Sequence, residues 1–149
     1  LGVGLSSSIL AIGCDHAGYS LKRFLMDSLS SDQYEFIDLG SHSEDPVDYP
    51  DIASKMGELF MKERVKRGIL VCGSGIGISI AANRFRSIRA ALVHNQAAAS
   101  SARQHNDANV IVFGGRVIDK NLAIECLELF LETEFEGGRH QARVSKLGQ

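Results

Sequence analysis

The sequence predicts an α/β domain whose strands form one five-stranded parallel sheet, and three observations carry that expectation. Short apolar runs alternate with longer amphipathic ones along the chain, the pattern of strands and crossover helices. The runs Ile69-Leu70-Val71 and Val110-Ile111-Val112-Phe113 are continuously apolar, which suits strands covered on both faces. The 149 residues hold no internal repeat or low-complexity tract, so one domain with one sheet is expected.

Taken in order, strands are expected at 9–13, 35–39, 68–72, 89–93 and 110–113. Leu21, Phe24, Leu25 and Leu29 mark the apolar face of a first helix, and Ile52, Met56, Leu59 and Phe60 that of a second, at helical spacing. Shorter helices are expected at 76–84 and 96–104. Leu122, Ala123, Cys126, Leu127 and Phe130 give a last long helix its inner face, with Asp119 placed to cap its start. The polar stretch SHSEDPVDYPD at 41–51 contains both prolines, Pro46 and Pro50, and reads as a loop. Residues 1–8 are expected to be a disordered leader before a single domain at 9–149. Within that domain, Gly137-Gly138 breaks the pattern after Glu136, and a short basic tail follows within 136–149. The tail is too polar to complete the core; its regular charges fit a segment lying across a subunit partner or a ligand.

A net charge of -2 with 23% charged residues predicts neither nucleic-acid nor membrane-surface binding, so any anion site must be local. No apolar run approaches the roughly 18 residues of a membrane span. Cys14, Cys72 and Cys126 are widely spaced and form no CxxC, which argues against a disulfide framework and fits a reducing, cytoplasmic setting. No HExxH or paired Cys/His spacing points to a metal.

The strongest local signal is VCGSGIGISIAAN, from Val71 to Asn83: an apolar strand, then Gly73, Gly75 and Gly77 in alternation, then a helical pattern. In a parallel sheet this places a glycine-rich turn at the carboxyl end of a strand, where such folds bind ligands. Its N–H groups, backed by a helix N-terminus, suit an anion. A dinucleotide fingerprint is not met, because Arg89 stands where an acidic ribose-binding residue is required. Cys72 directly precedes the glycines. It is either a reactive thiol favoured by the helix behind it or simply the last buried residue of its strand. Cys126 and Cys14 read as structural, the latter core or merely next to chemistry.

GCDHAG, Gly13 to Gly18, repeats this arrangement at the end of the first strand. Asp15 either caps the following helix or orients sugar hydroxyls, and His16 can contact a phosphate. RQHNDAN, Arg103 to Asn109, offers His105 and Asn106 in a polar loop; a histidine titrating near neutrality suits acid–base work, although an exposed loop histidine is often idle. Arg139 and Arg143 lie four apart on one helical face. With Arg116 they form either a phosphate grip or a solvated basic surface. His42, His94 and His140 carry no further pattern.

Together GCDHAG, DYPD, VCGSGIGISIAAN, SARQHNDANV, GGRV and EGGRHQARV, in this order across 9–144, resemble ribose-5-phosphate isomerase type B. The resemblance implies a Rossmann-like three-layer α/β/α sandwich, with a homodimer or homotetramer whose active sites lie at the subunit interface. It implies interconversion of D-ribose 5-phosphate and D-ribulose 5-phosphate through a cis-enediolate, without metal or cofactor. Carried across, Cys72 matches the proton-transferring base, and Gly73, Ser74, Gly75, Ile76 and Gly77 match the loop that holds the enediolate. Ser74 replaces a threonine common in the family and keeps the hydroxyl. His105 matches the ring-opening acid–base residue, and Asp15, His16, Tyr49 and Asn106 match positions around the sugar. His16, Arg116, Arg139 and Arg143 match phosphate contacts, some from the partner subunit. One branch of the family uses a glutamate in the following helix; that position here is Ile78, so the cysteine variant is implied. The rivals are a six-carbon isomerase, acting on allose 6-phosphate or galactose 6-phosphate, and a non-catalytic phosphate-sensing module. The module gives no reason for both a cysteine and a histidine.

Overall fold

The computed structural model describes residues 8–29 and 31–148. Five strands, β1 (Ile9–Cys14), β2 (Glu35–Asp38), β3 (Arg67–Cys72), β4 (Ala90–Leu92) and β5 (Val110–Gly114), form one sheet in the order β2-β1-β3-β5-β4. Every adjacent pair is parallel. The helices are α1 (Tyr19–Ser28), α2 (Tyr49–Met61), α3 (Ile76–Ala82), α4 (Gln96–Gln104), α5 (Lys120–Glu132) and α6 (Arg139–Val144). No described helix is long and apolar enough to cross a membrane.

Side chains alternate across a strand, and here the alternation sorts them onto two cores. Leu10, Ile12, Ile69, Val71, Ile111 and Phe113 face α1, α4 and α5, where they meet Leu25, Ala99, Leu127 and Phe130. Ala11, Leu70, Cys72, Val110 and Val112 face α2 and α3, against Ile52, Met56, Phe60 and Ile78. The result is the three-layer α/β/α sandwich. Phe113 and Phe130 are both fully buried, and truncating either to alanine is expected to cost about 3–5 kcal/mol.

The central strands are buried, whereas β2 and β4 are half-buried edges. The strand expected at 89–93 is trimmed to three residues. The Asn83 side chain accepts from Ala90 N–H at 2.8 Å and donates to its carbonyl at 3.0 Å, blunting that edge against further pairing. The loop expected to run to Asp51 ends at Asp48, because Tyr49 already belongs to α2; Pro50 sits in the first turn, where its missing N–H leaves no bond unmade. Asp119 caps α5 as expected, accepting from Asn121 and Leu122 N–H. Ser8, expected in the leader, instead accepts from Glu35 N–H at 2.9 Å; the rest of that leader, 1–7, lies outside the described residues.

Two features tie the ends together. Lys22 is fully buried and donates to Asp38 Oδ1 and to the Ser41 carbonyl, each at 2.6 Å. Burial pushes the Asp38 carboxyl up, but Lys22, the Gly40 N–H and His42 together hold it below its usual value. At the other end, Glu136 N–H donates to the Gln104 carbonyl at 3.1 Å, folding the tail back onto the C-terminal end of α4.

Candidate functional site

The chain runs outward from β1 to β2 on one side and to β3 on the other, so the order reverses between β1 and β3. Doubly wound sheets bind ligands at such a switch point, beyond the carboxyl ends of the strands. Three strand ends are stitched together there. Asp15 N–H donates to the Val71 carbonyl at 3.1 Å, Gly115 N–H to that of Cys72 at 2.8 Å, and Arg116 N–H to that of Gly73 at 3.0 Å.

Cys72 ends β3 with 4% of its surface exposed. Its sulfur accepts from Gly75 N–H at 3.2 Å, a contact that a thiolate makes more strongly than a thiol. Gly75 has φ +81, a conformation that favours glycine. This turn aims the loop N–H groups back toward the strand end. Ser74 is exposed, and its Oγ accepts from Ile76 N–H at 3.1 Å, leaving the hydroxyl hydrogen free to donate elsewhere.

The walls of the site are set by close approach. A Cβ on Gly73 would stand 3.3 Å from Arg116 Nη1, and one on Gly77 would stand 2.5 Å from Tyr49 Cζ. The Arg116 guanidinium and the Tyr49 ring therefore lie directly against the glycine loop. Asp15 Oδ1 accepts from Ala17 and Gly18 N–H, at 3.0 and 3.1 Å, so its capping role is made. His16 Nδ1 accepts from Val47 N–H at 3.3 Å. In the neutral ring this places the hydrogen on Nε2 and makes that nitrogen the donor.

His105, Asn106, Arg139 and Arg143 are not brought to this cluster within the chain. His105 follows α4 directly and precedes β5, so it lies at the opposite end of the sheet. Four rises of β5 alone span about 13 Å. Arg103 and Asp107 close the loop from behind. Arg103 is buried and donates to Asp107 Oδ1 at 2.9 Å and to the Ala108 carbonyl at 2.7 Å, while Arg89 also pairs with Asp107. This pairing leaves His105 and Asn106 exposed. Asn106 borders a cavity of about 440 Å³ beneath Leu147 and Gly148. Arg139 and Arg143 are exposed on α6.

One neighbour escaped the sequence reading. His140 stacks on His105, with ring centroids 4.5 Å apart and planes at 17°, and its Nε2 lies 3.7 Å from Glu136 Oε1. The four-residue step from Glu136 to His140 was the available signal. Burial, with His105, Arg139 and Arg143 nearby, holds the His140 imidazole below its usual pKa against the pull of Glu136. Cys14 and Cys126 are fully buried, and burial pushes both thiols up. Ile78, at the position of the alternative glutamate, is fully buried in the same core as Cys72.

Comparison with known proteins bears on what this arrangement serves. The family model described as Ribose/Galactose Isomerase matches residues 10–147. The chain is 44% identical over 138 residues to ribose-5-phosphate isomerase B of Escherichia coli, covering 93% of each chain. Among solved structures, a ribose 5-phosphate isomerase from Thermotoga maritima superposes with a TM-score of 0.92 at 43% identity, covering 96% of this chain and 99% of that one. Ribose-5-phosphate isomerase B of Clostridium thermocellum gives 0.91 at 46% identity, over 94% and 95%. A strand-end thiol beside a glycine loop, in a chain matched over almost its full length, places this protein in the ribose/galactose isomerase family.

Proposed function

We propose that the chain is an aldose–ketose isomerase that interconverts D-ribose 5-phosphate and D-ribulose 5-phosphate, with Cys72 as the base. The observation that carries the reading is the Cys72 sulfur at the switch point, held by Gly75 N–H and walled by Arg116 and Tyr49. The named relatives above act on ribose 5-phosphate, so the six-carbon sugar phosphates are not favoured.

In this mechanism the arginines and His16 fix the phosphate, and this remote binding energy positions the reacting carbons. Cys72 takes the proton from C2 of the aldose and returns it to C1. Between these steps the O2 hydroxyl proton moves to O1, a transfer assigned to the Ser74 hydroxyl, which can give one proton as it accepts the other. Gly75 and Ile76 N–H already serve Sγ and Ser74 Oγ, so the enediolate oxygen falls to the remaining N–H groups of the 73–77 loop. Asp15 and Tyr49 line the sugar. The hydrogen leaves and returns as a proton, so no redox cofactor enters the scheme.

Ring opening is assigned to His105, which one chain holds too far from Cys72. The reading therefore includes a homo-oligomer in which a second copy supplies His105, Asn106, Arg139 and Arg143. A two-fold axis perpendicular to the strands reverses their direction, so it sets the carboxyl end of one sheet beside the opposite end of its partner. Ile76 and Ile80, four apart on α3, are each 55% exposed and give that contact an apolar face beside the glycine loop. The three free, buried cysteines fit a cytoplasmic enzyme. The test is the appearance of ribulose 5-phosphate from ribose 5-phosphate in buffer with a strong chelator. Turnover supports the assignment; a folded, oligomeric protein that turns over only allose 6-phosphate, or nothing, overturns it.

A further inference from the structure

The geometry points to a binding site for a zinc-class divalent cation formed by His105, Glu136 and His140, and to inhibition of the enzyme when that site is filled. Two imidazoles and one carboxylate are the donor set of many open zinc sites. Their ligating atoms all lie within 4.8 Å of one another, and His140 Nε2 is 3.7 Å from Glu136 Oε1. Tetrahedral bonds of 2.0–2.1 Å put ligands about 3.3 Å apart, so modest side-chain rotations complete the triangle. His105 and Glu136 are exposed and have room to make them.

The backbone already holds the three together. Glu136 N–H donates to the Gln104 carbonyl, which fixes the carboxylate-bearing residue beside the residue that precedes His105. The first turn of α6 then returns His140 against the His105 ring. With three protein ligands, the fourth position stays open to water or to a sugar hydroxyl.

The inhibitory consequence rests on the proposed isomerase reading, in which His105 moves a proton during ring opening. A neutral imidazole has one lone pair. Once that pair binds a cation, the ring cannot accept the hydroxyl proton. The cation thus takes no part in the reaction and competes with it.

The test has two independent readouts on the full-length protein. Zinc affinity is measured by competition with a chromophoric chelator, for the native chain and for His140→Gln, Glu136→Gln and Cys72→Ser, each first shown to keep its melting temperature. One ion per chain is expected, with affinity lowered at least about tenfold in both His140→Gln and Glu136→Gln and changed less than about twofold in Cys72→Ser. Absence of saturable binding, native affinity retained in His140→Gln or Glu136→Gln, or loss in Cys72→Ser overturns the site. Isomerisation of ribose 5-phosphate is then followed at rising zinc, with reversal by chelator. Inhibition that requires about tenfold more zinc in His140→Gln supports the consequence, and full activity with the site saturated overturns it. Zinc binding at the triad in a chain that isomerises nothing would sink the isomerase reading and leave the metal site standing.

Discussion

The N–H of Gly75 donates to the sulfur of Cys72 across 3.2 Å, so the residue that starts α3 also addresses the thiol. Adding a methyl group there strains both jobs. The φ of +81 disfavours alanine, and its Cβ would meet Leu92 Cδ1 at 2.4 Å and the Phe113 carbonyl carbon at 3.0 Å. Gly75→Ala is expected to cost about 1–2 kcal/mol from the left-handed conformation alone, or roughly 2–8 °C in melting temperature. Its kcat should fall further than its KM rises, because the displaced N–H serves the sulfur rather than the phosphate. A melt and a steady-state titration on the same preparation check both.

Cys72 should be the one thiol that reacts. Cys14 and Cys126 are fully buried with their thiols pushed up, whereas Cys72 opens onto the glycine loop. Iodoacetamide at neutral pH is expected to add a single group per chain, at Cys72, more slowly with ribose 5-phosphate present. Peptide mass spectrometry reads the position, and modification of Cys14 first would contradict it. Cys72→Ala should lower kcat by about 10²–10⁴-fold, the range of general acid–base catalysis, with the fold unchanged by circular dichroism.

A site shared between two copies predicts complementation. Cys72→Ala and His105→Asn are each expected to be inactive alone. Mixed in equal amounts and allowed to exchange subunits, half of the pairs are mixed, and each mixed pair has one intact site. Activity should return to about a quarter of the native value. No recovery, with exchange shown by differently tagged chains, would place each site within one chain.

The Lys22–Asp38 pair sets an acid limit. Asp38 is held below its usual pKa in the fold, so the stability it contributes is present above the ordinary carboxylate value of about 3.9. It is lost as pH falls through the lower, folded value. Urea midpoints should therefore drop below about pH 4, and Asp38→Asn should flatten that drop. The same variant leaves the buried Lys22 ammonium with neutral acceptors only, the Ser41 carbonyl and an amide oxygen, at an expected cost near the lower end of about 3–5 kcal/mol. Lys22→Met should cost less, since it removes the charge and keeps the stem.

Apolar continuity made the strands legible, because parallel strands covered on both faces cannot afford polar positions. Val110 to Phe113 is a fully buried strand in the structure. The order β5-β4 at the far edge was not legible, since Ala90 to Leu92 carries too little pattern to say which neighbour it pairs with. Tyr49 was placed in the loop because Pro50 reads as a breaker, whereas a first-turn proline starts a helix as well as it ends one. At the site, Cys72, Asp15 and His16 could be found because strand ends are marked by glycine. The distance from Cys72 to His105 is invisible in sequence, because a motif gives the residue and not the end of the sheet it occupies. His140 was passed over because its meaning lies in a ring contact made across 35 residues of chain.

The sorting of β3 onto two cores has a consequence for how this reaction can evolve. Ile69 and Val71 face one layer, Leu70 and Cys72 the other, so the sulfur's position is a matter of odd or even count along the strand. Inserting or deleting one residue within β3 would turn the thiol toward α1 and α5, away from the glycine loop, while a change of two would keep it facing the same side. Lineages with this architecture are therefore constrained to alter β3 only in steps that preserve its parity.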